Sequence, residues 1–233
     1  MIDIENLTFH WDPKTPVLDI PNFSCAEGER IFLEGQSGSG KSTLLNLICG
    51  VFEATSGSLK ILDKDFSKLS AAARDSVRAE SMGVIFQQFN LVPFLSLTEN
   101  VLLPGRFSKK RQQRIGTTEK ERLDKAQDLL DRLGLTVEAR SGRTVTALSV
   151  GQQQRVAAAR ALIGEPSLII ADEPTSALDH AAKEVFIETL LAEAKGATVV
   201  FVSHDPTIAA AFDRRVLMSE INKATAPAQG AGS

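Results

Sequence analysis

The 233-residue sequence has no tyrosine, one tryptophan and two cysteines. Cys25 and Cys49 stand apart with no CxxC pair, which argues against a disulfide scaffold or a thiolate metal site. Both read as small core residues in a reducing compartment. A basic excess is also missing. Lys and Arg number 26 against 29 Asp and Glu, a net charge of −3, so no global field calls for nucleic acid. No apolar run approaches the roughly 20 residues that span a bilayer, so a membrane role requires another chain to supply the span. The acidic start Met1-Ile2-Asp3-Ile4-Glu5 is not expected to be a secretory signal. What remains, 43% hydrophobic and 24% charged, is ordinary for a soluble globular chain. Its length suits one large domain or two small lobes.

Against these absences stands Gly35-Gln36-Ser37-Gly38-Ser39-Gly40-Lys41-Ser42, which fits the phosphate-loop pattern G-x-x-x-x-G-K-S/T. The apolar run 30–34 before it reads as a strand. Leucines and an isoleucine at helical spacing over 42–49, closed by Gly50, read as a helix. Strand, glycine loop and helix aim backbone N–H groups and a helix N-terminus at an anion. Gly35, Gly38 and Gly40 let the backbone approach phosphate oxygens, with Ser37 and Thr43 among the binding positions. Lys41 suits the β- and γ-phosphates, and the Ser42 hydroxyl suits Mg²⁺.

Strands are expected at 2–9, 17–23, 59–62, 82–86, 167–171, 198–202 and 215–218, with a proline-rich turn over 11–16. Helices are expected at 70–80, 119–133, 151–163 and 181–194. In the helix at 119–133, Leu123, Ala126, Leu130 and Leu133 form the apolar stripe. Residues 107–118 form a polar insert whose Lys109, Lys110, Arg111 and Arg114 read best as a solvated face. Lipid or partner contact is the lesser reading. The reading is one α/β domain over 1–220, with core segments 1–87 and 166–220 and a helical lobe at about 88–165. A disordered tail is expected over 221–233.

Four apolar residues lead into Asp172-Glu173. A carboxylate at a buried strand's end beside the phosphate loop can hold Mg²⁺. Glu173, one residue on, can act as a general base or orient a water in line with the γ-phosphate.

Taken together, these motifs resemble the ATP-binding subunits of ABC transporters over about residues 2 to 220. The Walker A segment is 35–42. Gln87 is the Q-loop residue, Leu148-Ser149-Val150-Gly151-Gln152 the signature, 168–173 Walker B, Ser176-Ala177-Leu178-Asp179 the D-loop, and His204 the switch histidine. The signature with its following Gln153-Gln154-Arg155-Val156 is the most specific of these. The resemblance implies an α/β fold with a P-loop NTPase core (a RecA-like mixed sheet), a small antiparallel β subdomain and an inserted helical subdomain. It implies an ATPase that uses ATP and Mg²⁺ and pairs head to tail with a second copy of itself. One face of each nucleotide would be Lys41, Ser42, Gln87, Asp172, Glu173 and His204. The other would be Ser149, Gly151 and Gln152 of the partner copy, with Asp179 nearby. Gln87 would contact Mg²⁺ or water and report to an integral membrane subunit. Trp11 would stack on adenine, with Phe9 as the alternative. His10 and His180 are given no role.

Residues 87–101 are similar to the branch of lipoprotein-releasing, macrolide-export and cell-division ATPases. The expected setting is therefore the cytoplasmic face of a bacterial inner membrane. The rivals are an amino-acid-type importer ATPase, a non-transport ABC ATPase, and a nucleotide-binding regulator without turnover, which the presence of Glu173 disfavours. Val150 departs from the family pattern, which has glycine there. Since valine does not readily adopt positive φ, the backbone at 150 is expected to be extended or helical.

Overall fold

The computed structural model describes residues 1–12 and 15–224. In chain order, β1 (Ile2–Asp12), β2 (Thr15–Cys25) and β3 (Arg30–Glu34) lead into α1 (Lys41–Ile48). Next come β4 (Ser56–Ile61), β5 (Lys64–Asp65), α2 (Ala71–Ser81) and β6 (Met82–Ile85). Five helices follow: α3 (Leu97–Phe107), α4 (Lys109–Ile115), α5 (Glu119–Arg132), α6 (Thr136–Arg140) and α7 (Val150–Leu162). The chain returns through β7 (Leu168–Asp172), α8 (His180–Glu193), β8 (Thr198–Ser203), β9 (Arg214–Leu217) and α9 (Met218–Ile221).

Parallel and antiparallel pairing are segregated. Five parallel strands run in the order β6-β7-β8-β3-β9, and an antiparallel sheet runs β2-β1-β4-β5. Parallel strands covered on both faces need continuous apolar sequence. Leu168-Ile169-Ile170-Ala171 in β7 and Val199-Val200-Phe201-Val202 in β8 supply it, and all are buried. Alternation along β3 divides the core. Phe32 packs with Phe201, Phe212 and the helices of the α3–α8 side, whereas Ile31 and Leu33 face α1 and the antiparallel sheet. The register then sets the site. Glu34 pairs with Ser203 and Asp172 with Val202, so the chain leaves β3, β7 and β8 at one edge, side by side.

Sequence pattern and structure part company in four places. The expected turn at 11–16 is strand up to Asp12 and again from Thr15, with Pro13 and Lys14 outside the described residues. Pro16 and Pro21 fit β2 because it is an edge strand, where a missing N–H need not break a ladder. In α5 the buried stripe is Ala126, Leu129, Leu130 and Leu133, while Leu123 is exposed. Residues 221–224, assigned to the tail, are placed: Ile221 ends α9 and the Asn222 side chain is hydrogen-bonded. The remainder of that expected tail, 225–233, lies outside the described residues.

The fourth place is the basic insert, which forms α4 and is no simple solvated face. Arg111 is only 2% exposed. Its Nε donates to Ile163 O at 3.0 Å, Nη2 to Ala161 O at 2.7 Å and Nη1 to Met82 O at 2.5 Å. Arg114 donates to Gly164 O at 2.8 Å and to Glu80 O. These carbonyls lie at the C-terminal ends of α2 and α7, where the helix leaves them unpaired and the dipole is negative. Burial, with Arg114 nearby, brings the Arg111 pKa down to about 10, so it stays charged at neutral pH. Arg111→Met would strand three buried carbonyls. At about 1–3 kcal/mol each, the expected loss is roughly 3 kcal/mol or more. Urea unfolding measures it, and an unshifted midpoint would show that the insert is only a surface feature.

Candidate nucleotide-binding site

At the shared edge of β3, β7 and β8 opens a cavity of about 770 Å³. Its walls are the loop from Ser37 to Thr43, then Gln87, Asp172, Glu173, His204 and Trp11. The loop holds Gly38 at φ 79° and Gly40 at φ 95°, both left-handed. Gly40 immediately precedes α1, and a Cβ there would stand 2.6 Å from Leu18 Cδ2. Gly35 is not on the cavity wall. Its Cβ would stand 2.6 Å from Ser39 Oγ and 2.9 Å from Met218 Cβ, so close packing is its requirement. The Lys41 ammonium folds back onto the loop, donating to Gly35 O at 2.5 Å and Gln36 O at 2.9 Å. The N-terminus of α1 faces the same space and favours an anion there.

Ser42 and Asp172 both line the cavity, and the Ser42 hydroxyl favours the ionised form of the Asp172 carboxylate. Burial raises the Asp172 pKa above the ordinary carboxylate value and the adjacent Glu173 charge adds to this; the Ser42 hydroxyl and the Lys41 charge oppose it. Glu173 sits at φ 47°, a left-handed conformation costing on the order of 1–3 kcal/mol. Its N–H donates to Val202 O at 3.0 Å, which holds the strained turn against β8. His204 Nδ1 lies 3.0 and 2.9 Å from the two Glu173 carboxylate oxygens. The histidine is 69% exposed and the glutamate 12%, so the pair bridges solvent and strand end. Gln87 follows the end of β6 and is exposed towards the cavity.

Trp11 is 64% exposed. Its ring meets Phe9 edge-on at 4.9 Å and Phe52 at 5.0 Å, with interplanar angles of 89° and 83°. Phe9 is buried in that cluster, so the alternative of Phe9 as the stacking ring is corrected by its burial. As the single tryptophan, Trp11 is a clean probe. ATP or ADP is expected to change its fluorescence. Trp11→Ala is expected to weaken nucleotide affinity by roughly 1–3 kcal/mol, as in base–aromatic stacking. Unchanged affinity would count against stacking.

The signature residues lie away from this cavity. Ser149 caps α7, with its hydroxyl accepting from Gln152 N at 3.3 Å while Gln152 Oε1 accepts from Ser149 N at 2.9 Å. Gln152 Nε2 donates to Glu138 Oε1 at 2.7 Å. Val150 is the first residue of α7, outside the left-handed residues, and its side chain points to solvent. A Cβ on Gly151 would stand 3.4 Å from Leu178 Cδ2. Asp179 is likewise off the cavity wall and caps α8, accepting from Ala182 N at 2.9 Å.

Several wall residues escaped the sequence reading, Asn222 among them. Asn222 donates from Nδ2 to Val17 O at 3.0 Å and Ser39 O at 3.2 Å, and its Oδ1 accepts from Asp19 N at 2.8 Å. It ties β2 to the phosphate loop. Nothing in the small-residue composition after it signals this, because the contacts come from residues more than 180 positions away.

Fold and loop together define a P-loop nucleotide-binding domain. A profile of the family described as ABC transporter matches residues 18–176. The chain belongs to that family. It is 41% identical over 204 residues to a macrolide export ATP-binding/permease protein MacB of Shigella flexneri, covering 87% of this chain and 30% of that protein. It is 37% identical over 221 residues to MacB of Rhodospirillum rubrum, covering 94% of this chain and 33% of that protein. The chain thus spans about a third of the length of these relatives. The dimeric structure of MJ0796, a bacterial ABC transporter cassette, superimposes with a TM-score of 0.82 at 37% identity, covering 93% of this chain and 94% of that one. A post-hydrolysis dimer of MJ0796 bound to ADP and Pi superimposes with the same TM-score at 36% identity and the same coverage. Among the described residues, no helix is long and apolar enough to cross a membrane.

Proposed function

We propose that this chain binds and hydrolyses ATP with Mg²⁺ and powers an ABC transporter or mechanotransmission complex through head-to-tail pairing of two copies. The cargo class is lipoprotein, lipid, peptide or macrolide, and the place of action is the cytoplasmic face of a bacterial inner membrane, beside integral membrane subunits. The observation that carries the reading is the register of β3, β7 and β8. It gathers the loop, Asp172, Glu173 and His204 on one cavity while the same chain's Ser149 and Gly151 line none of it. A second copy is the natural source of the missing face. The MacB relatives support the exporter branch over the importer and non-transport rivals.

The residues fit Mg²⁺. Ser42 and Asp172 present hard oxygens on one cavity wall, with Gln87 on the same cavity. Among the described residues no group of three or more His, Cys, Asp or Glu forms a metal cage, which suits an ion that keeps waters and phosphate oxygens as ligands. When bound, the ion would neutralise charge on the β- and γ-phosphates. Lys41 exchanges its two carbonyl contacts for phosphate oxygens. The α1 N-terminus and loop N–H groups hold the β-phosphate. Glu173 accepts the proton of the attacking water or orients it, and His204, released from Glu173, contacts the γ-phosphate. Ser149 and the N–H at Gly151 of the second copy close the site from the far side, at the start of α7.

The test compares molecular mass and phosphate release with Mg-ATP and with EDTA, alone and with the native membrane subunit. Dimers on ATP and phosphate release are expected. A chain that stays monomeric and releases no phosphate even with its membrane subunit would overturn the reading.

A further inference from the structure

We propose that Arg160 is a positioning residue for Gln87: its guanidinium clamps the loop that carries Gln87 to the helix that begins at the signature. The proposal deepens the nucleotide-site reading and rests on it for the role of Gln87. Arg160 lies in α7, the helix capped by Ser149. Its Nη1 donates to Asn90 O at 2.6 Å and its Nη2 to Phe89 O at 2.5 Å. Both terminal nitrogens of the fork are thus spent on two adjacent backbone carbonyls.

The loop needs such a hold. Phe89 at φ 58° and Asn90 at φ 49° are consecutive left-handed residues. Asparagine tolerates that region, but phenylalanine does not readily, and the surroundings must impose it. The loop's own backbone bonds are short-range, Phe89 N to Phe86 O and Asn90 N to Gln88 O. Its far end is held by a different helix. The fully buried Asn100 of α3 accepts from Val92 N at 2.8 Å and donates to Val92 O at 3.1 Å. Gln87 therefore sits on a segment pinned at 89–90 by α7 and at 92 by α3. A planar two-donor fork fixes orientation as well as distance, which a single ammonium does not. Because Ser149 caps α7, a displacement of the signature end is carried through Arg160 to Gln87, joining the two faces of the ATP sandwich within one chain.

The test uses the purified full chain and two readouts. In Arg160→Met, amide exchange across residues 86–92 is expected to rise about tenfold or more while exchange in β8 stays unchanged. With Mg-ATP, Arg160→Met is expected to lower kcat about tenfold in the parent background but less than about twofold in a Gln87→Ala background, since a residue acting through Gln87 has nothing left to position. Arg160→Lys should fall between parent and Arg160→Met in both readouts. Unchanged loop exchange overturns the clamp. So does exchange that rises equally in β8, which marks a general stabiliser, and so does an equal loss of kcat in both backgrounds. A parent chain without hydrolysis counts against the proposed function instead, and loop exchange then decides the clamp by itself.

Discussion

Glu173→Gln is expected to bind ATP about as tightly as the parent chain and to hydrolyse it ~10²–10⁴-fold more slowly, the usual cost of removing a general base. The substitution is nearly isosteric. It preserves the left-handed turn and the N–H bond to Val202, since both belong to the backbone. What it removes is the carboxylate that His204 now faces with both oxygens. Because hydrolysis is what would open the sandwich, the variant should accumulate as an ATP-bound dimer, visible as doubled mass by light scattering. Turnover near that of the parent would take Glu173 out of this role. Lys41→Ala provides the contrast. It would remove the proposed phosphate contact rather than a proton acceptor, so it should mainly weaken ATP binding.

Gly151→Asp is expected to abolish hydrolysis, whereas Val150→Gly should change it only a few-fold. The two positions differ in what they face. Val150 is the first residue of α7 with a solvent-exposed side chain and ordinary helical backbone, so glycine there restores no conformation that valine denies. Gly151 lies one step further along, and in the paired state its N–H would approach the partner copy's γ-phosphate. A carboxylate at that point sets negative charge against negative charge where the helix N-terminus should stabilise it. Both variants are assayed for phosphate release with the membrane subunit present. A large gain from Val150→Gly would mean that the valine impairs the signature, and an active Gly151→Asp would remove this helix end from the γ-phosphate.

Several parts of the molecule were readable because they are local. The phosphate loop needs a fixed run of glycines before a lysine and serine, and the strand and helix around it follow from nearest-neighbour periodicity. The apolar run into Asp172 reads as a buried strand for the same reason. The capping boxes Ser149 with Gln152, Ser96 with Glu99 and Thr118 with Glu121 are equally local, each closing a helix start within four residues, yet they went unread, as did the helix that Ser96 begins. Charge patterning was a poorer guide. In the basic insert, sequence alone cannot distinguish an arginine that meets water from one that meets the carbonyl ends of two helices far away in the chain.

By itself, then, the sequence determined which residues can carry phosphate, metal and water chemistry, because those requirements are written in residue type and short spacing. The tertiary structure alone decided which of them meet. Parallel pairing of β3, β7 and β8 brings residues 34, 172 and 203 to one edge although they are far apart in the chain. Long-range hydrogen bonds place Asn222 against Ser39, Arg111 against Ile163 and Arg160 against Phe89. Such contacts depend on how helices and sheets pack. A backbone carbonyl, the acceptor in all three, has no signature in the amino-acid sequence, since every residue carries one.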